Sequence, residues 1–135
     1  MSIGIKVNQT RDFIRKDARG AIDLERSLEE VRQLAAASHY FQDHNMVLDL
    51  RDTVVDGTRA DGLRVAAAFA HYFKSFHNKI AMLIPDTAER IEKANLMQRC
   101  MEAEGFEMKV FLKFEHAIEW FSEVVPLGRN NRSPR

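Results

Sequence analysis

A chain of 135 residues with 45% hydrophobic and 30% charged side chains has the length and balance of one globular domain, which excludes a disordered or fibrous chain. Basic and acidic residues number 20 each, so the basic excess of a nucleic-acid binder is missing and no nucleic-acid partner is expected. Cys100 is the only cysteine, which excludes an intramolecular disulfide, and no apolar run approaches the ~20 residues of a membrane-spanning helix.

The opening MSIGIKVNQTRDF lacks the apolar stretch of a signal peptide, so a cytoplasmic location is expected. Charge is unevenly spread. Arg129, Arg132 and Arg135 fall within the last nine residues, leaving 17 basic against 20 acidic residues elsewhere. Residues 1–125 are read as one domain and 126–135 as a flexible arginine-rich tail.

Ile3, Ile5 and Val7 alternate with other residues at the period of a half-buried strand. Asn8-Gln9-Thr10 reads as a turn, and Asp12 to Lys16 as a second, weaker strand of an opening hairpin closed by Gly20. Leu24, Leu28, Val31 and Ala35 recur at helical spacing up to about Ser38, with Asp23, or Ser27 with Glu30, as the start signal. Met46 to Leu50 is a short apolar run of the kind found in buried central strands. Thr58 and Asp61 have capping-box spacing, and the helix they open is expected from Arg59 to about Phe76. Lys79 to Ile84 is another buried strand, stopped by Pro85. Asp86 and Glu89 open the next helix, whose apolar face reads Ala88, Ile91, Met97 and Met101, and Gly105 ends it. Glu107 to Leu112 alternates like a strand near an edge, and Glu115 to Val124 is the closing helix.

Strands alternating with helices predict an α/β domain with a four- or five-stranded, mostly parallel sheet and about four helices. The opening hairpin would make the sheet mixed. Met46–Leu50 and Lys79–Ile84 are expected side by side at its centre.

With MVLDLRDTVVDGT and KIAMLIPD each leading into a helix, EAEGFEMKVFLKF as the next link and EHAIEWF closing, the chain resembles the SpoIIAA-like branch of the STAS domains from about Ile3 to Val124. That branch is related in fold to anti-sigma-factor antagonists. The resemblance implies a regulatory, protein-binding domain. Switching members carry an Asp-Ser-Ser-Gly-like motif after the strand that here ends in Asp49-Leu50. The corresponding loop reads Asp56-Gly57-Thr58 and has no serine, so the serine phosphoswitch is not expected.

Two segments stand out as candidate sites. The loop Asp56, Gly57, Thr58 and Arg59 precedes a helix N-terminus, where free N–H groups and the helix dipole favour an anion, while Asp52, Asp56 and Asp61 oppose one. Phe69, Tyr72, Phe73 and Phe76 follow i, i+3, i+4, i+7 spacing and form a row for core packing, an apolar pocket or a partner surface. Ala66, Ala67 and Ala70 make the other side of that helix small, and the broad apolar circumference suggests a homodimer contact or cover by the first helix.

Asp49, Asp52 and Asp56 show no fixed ligand spacing, and none of the five histidines (His39, His44, His71, His77, His116) falls in a zinc or triad pattern. Cys100, between Met97 and Met101, reads as a buried thiol. No catalytic residue, metal or cofactor is expected. The expected function is a non-catalytic regulatory domain that binds an unidentified protein partner. The alternative is a carrier or sensor of a small apolar or anionic ligand, which an apolar cavity would favour.

Overall fold

The computed structural model describes residues 13–37, 44–56 and 59–123, with the side chains of residues 59 and 60 outside that description. The elements are β1 (Phe13–Ile22), α1 (Leu24–Ala37), β2 (Asn45–Val55), α2 (Arg59–Tyr72), β3 (Lys79–Leu83), α3 (Ala88–Ala103), β4 (Glu107–Phe111) and α4 (Phe114–Phe121). The strands form one sheet in the order β1-β2-β3-β4, with every neighbouring pair parallel. This is the expected α/β architecture, with Met46–Leu50 and Lys79–Leu83 adjacent in the two central strands. The proposed strand Ile3–Val7, and with it the antiparallel member of the sheet, lies outside the described residues, as does the tail.

Strand order equal to chain order dictates the layering. Each crossover steps to the next strand in the same direction, so crossovers of one hand must lie on one face. The helix α2 packs between α1 and α3, and the main core joins all three to Met46, Ile80, Met82 and Met108 of the sheet. On the opposite face α4 packs on β3 and β4, where Ala117, Trp120 and Phe121 cover Val47, Ala81 and Leu83. No helix among the described residues is long and apolar enough to cross a membrane.

Several local expectations are corrected. The first described strand runs ten residues, well past Lys16, and does not stop at Gly20. Gly20 sits within the strand at φ +83°, a conformation that side chains with a Cβ rarely adopt. Of the two start signals for α1, Asp23 is the cap, because its carboxylate accepts the Arg26 N–H at 2.8 Å. The start of α3 is capped by Thr87, which accepts the Arg90 N–H at 3.2 Å, and not by Asp86.

The helix α2 ends at Tyr72 and not at Phe76. Beyond it Ser75 and Asn78 are residues whose side chains compete with helical hydrogen bonding, and a turn returns the Phe76 ring to the core. Gly105, at φ +95°, closes α3 as expected, and β4 is an edge strand among those described.

Candidate functional site

Two open regions lie on opposite faces of the sheet. On the helical face a cleft of about 580 Å³ separates α1, α2 and α3 from the strands. Its floor is Leu48, Leu50, Met82 and Met108, and its walls include Val31, Leu34, Val65, Phe69 and Met97. It reaches the carboxyl ends of the strands at Ile22, Val55 and Ile84. The three helices do not fill the space above this floor. Leu48, Leu50, Val65 and Met97 therefore remain only partly buried.

Polar groups punctuate the cleft. Lys16, from β1, forms a 2.8 Å ion pair with Glu30 of α1, and Arg26 reaches the same carboxylate at 3.3 Å. Burial raises the Glu30 carboxyl, but the hydrogen bond and charge of Lys16, then of Arg26, outweigh it and hold the group below its ordinary 4.5. Lys93 donates to the Val55 carbonyl at 3.1 Å and pairs with Glu89 at 3.4 Å.

Arg90 is different: the residue is only 8% exposed, and its guanidinium donates to the Thr53 carbonyl and, at 3.0 Å, to the Thr53 hydroxyl. Burial lowers its pKa, with the charge of Glu89 acting in the opposite direction.

A β-bulge makes that contact possible. Asp17 pairs with Asp49 but Arg19 pairs with Asp52, so β2 carries one residue more than β1 over this stretch. Before the bulge, Leu48 and Leu50 face the helices, and Asp49 and Arg51 face away. After it the alternation is reversed, so Thr53 and Val55 join the helical face and Asp52 joins the other. The Thr53 hydroxyl secures the kink by donating to the Leu50 carbonyl at 2.7 Å.

On the opposite face, beside α4, the open half of the sheet carries a charged ladder. Asp49 accepts from Arg51 at 2.9 and 2.8 Å and from Arg15 at 2.7 Å, and Arg15 also bonds Asp17 at 2.9 Å. The Arg51 side-chain bond is the main reason that Asp49 lies below its ordinary 3.8, against the opposing effect of burial, with further help from the Arg51 backbone and the Arg15 charge. Arg15 also lies 5.0 Å over the Phe114 ring of α4.

The expected site residues divide. Asp56 and Asp61 line the cleft, while Gly57, Thr58 and the Arg59 side chain lie outside the described residues. Of the aromatic row, Phe69 lines the cleft. Its ring stacks on Phe73 at 4.4 Å and meets Phe106 edge-on at 5.2 Å. Phe73 and Phe76 are core, and Tyr72 is exposed against His71. The helix carrying them is flanked by α1 and α3 within the chain, while Leu63, Ala67 and Tyr72 stay exposed on it.

Asp49 and Asp52 face away from the helices while Asp56 lines the cleft, so the three carboxylates do not converge. No group of three or more metal-binding side chains occurs among the described residues. His71, His77 and His116 are exposed, and Cys100 is a buried free thiol.

Sequence reading missed Arg90, and it placed Thr53 at the head of the loop before α2, whereas Thr53 lies within β2, which runs on to Val55. The inward face of α3 includes Arg90, Ala94, Met97 and Met101, whereas Ala88, expected on it, is exposed. A signal existed: Arg90 stands four, seven and eleven residues before Ala94, Met97 and Met101, the spacing of one helical face. Comparison with protein-family models, with curated proteins and with solved structures found no match.

Proposed function

We propose that this protein is a non-catalytic carrier or sensor domain of STAS-like type, without the serine phosphoswitch, and that the cleft under its three helices holds a small apolar ligand. The observation that carries the reading is the cleft itself. Its volume of about 580 Å³ falls in the range of small-molecule sites, and Leu, Val, Met and Phe side chains dominate its interior. Burying a ligand there would remove the remaining exposed surface of Leu48, Leu50, Val65 and Met97 from water.

Titration with the neutral fluorescent probe N-phenylnaphthylamine tests this. Saturable binding at one site per chain is expected, weakened about tenfold or more by Val65→Trp, which places an indole in the space the probe needs. Absence of saturable binding, or the same binding in a folded Val65→Trp variant, refutes the reading.

A second reading, a surface for a protein partner or a second copy, is supported by Leu63 and Tyr72, which are 53% and 40% exposed on α2. Sedimentation velocity at low micromolar concentration tests the homodimer. A single species at 15.6 kDa counts against it.

A further inference from the structure

We infer that Arg90 is the anchor for the acidic end of the ligand, so that the cleft selects an amphiphile with one carboxylate and an alkyl or aryl body. This rests on the cleft being a ligand site, as proposed above, and adds the chemistry of the headgroup.

The argument starts from where charge is left over. Four basic residues line the cleft: Lys16 is matched by Glu30, Lys93 by Glu89, and Arg99 is exposed to water. Arg90 is the buried one, and among the described residues no carboxylate forms an ion pair with it. Its partner Thr53 supplies two neutral oxygens, which use two of the five N–H donors of a guanidinium. A guanidinium stays charged in a protein, so this face of the cleft holds a desolvated cation bonded to the neutral oxygens of Thr53, on which the charge of Glu89 acts without an ion pair. Such a charge is costly to bury without a counter-ion, and a carboxylate arriving on the fork would supply one with favourable geometry.

The surroundings extend the match. Arg90 lies in the first turn of α3, where the positive end of the helix dipole favours an anion. The Leu50, Met82 and Met108 floor runs back from there along the strands and accommodates an apolar body.

Asp56, Asp61 and Glu92 on the lining oppose this, since they would favour a cationic headgroup. Asp56 and Glu92 are exposed and Asp61 is half-buried; charges open to water are screened by salt over about 8–10 Å, whereas the buried guanidinium is screened much less, and on that physical ground the inner cation decides.

Calorimetric titration with octanoate, octanol and octyltrimethylammonium at neutral pH tests the assignment. Octanoate is expected to bind about tenfold more tightly than octanol, as one charge-assisted contact implies, and octyltrimethylammonium more weakly than either. In Arg90→Met the ratio of octanoate to octanol affinity should fall to about one. A wild-type protein that binds octanol as tightly as octanoate, or prefers the ammonium, overturns the assignment, as does a folded Arg90→Met variant that keeps the preference.

Should that variant not fold, the Arg90 Nε–H resonance of the wild type replaces it. It should shift with octanoate and not with octanol, and an equal response to both refutes the anchor. If octanol and N-phenylnaphthylamine both fail to bind, the cleft reading falls and takes the anchor with it. If they bind and octanoate gains nothing, only the anchor is lost.

Discussion

On one side of the sheet three helices cover a floor of Met46, Leu48, Leu50, Ile80, Met82 and Met108. On the other, among the described residues, a single eight-residue helix covers β3 and β4, while β1 and β2 present Arg15, Asp17, Asp49 and Arg51. The first face has more apolar floor than its helices fill and keeps a cleft. The second needs no more helix, because its exposed half is charged and its charges neutralise one another. The contrast shows where unspent interaction remains: at apolar surface and one buried cation under the helices, and not in the ladder, whose central carboxylate already accepts from two arginines.

The comparison can be broken by mutation. The largest effect is expected inside the helical layer. Phe73 is fully buried between Phe69 and Phe76, so Phe73→Ala should cost about 3–5 kcal/mol in urea unfolding. A loss below about 1 kcal/mol would mean that the helical layer tolerates cavities at its centre as well as over its floor.

Asp49→Asn tests the ladder. It removes the charge that holds Arg15 and Arg51 and should cost about 1–3 kcal/mol near neutral pH. The sign of the pH dependence follows from the lowered Asp49 value. Its contribution is fully present above the unfolded-state range near pH 4 and is lost as the pH falls through the folded value. Stability curves of wild type and Asp49→Asn should therefore converge in acid. Glu30, also lowered, adds a dependence of the same sign from the helical face, and Glu30→Gln should remove that part alone.

A smaller effect sharpens the placement of α3. Thr87→Ala removes the cap that accepts the Arg90 N–H and should cost about 1 kcal/mol, measured by thermal unfolding. The smallest is expected at Val54, which the bulge leaves 68% exposed. Val54→Thr should change stability by no more than about 0.5 kcal/mol. A large loss there would mean that this face carries packing that the ladder does not account for.

Much of the architecture was readable in the chain because its causes are local. The apolar runs at Met46 and Lys79 marked the two central strands, since residues buried on both faces have no polar alternation. Gly105 marked the end of α3 because few other residues adopt its backbone conformation. By contrast, β1 was read short because FIRKDARGAI places charges where a buried strand would be apolar. The place of Arg15 became intelligible only once Asp49 stood beside it, 34 residues away in the chain.

The candidate site was less legible for the same reason. Phe69, Asp56 and Asp61 were on the page as residues of interest, but Arg90 carried no sign that it would turn inward beyond its helical spacing from Ala94, Met97 and Met101.

Periodicity and punctuation thus accounted for the number, order and type of the elements from Met46 to the end of α4, because each depends on residues close together in the chain. The pairing of β1 with β2 settled the rest. The extra residue near Leu50 and Arg51 reversed the alternation of β2, turned Thr53 toward the helices, and left its carbonyl and hydroxyl where a side chain from α3, 37 residues later, could reach them. A strand's own sequence does not reveal such a shift, since a bulge exists only relative to the neighbour against which its residues are counted.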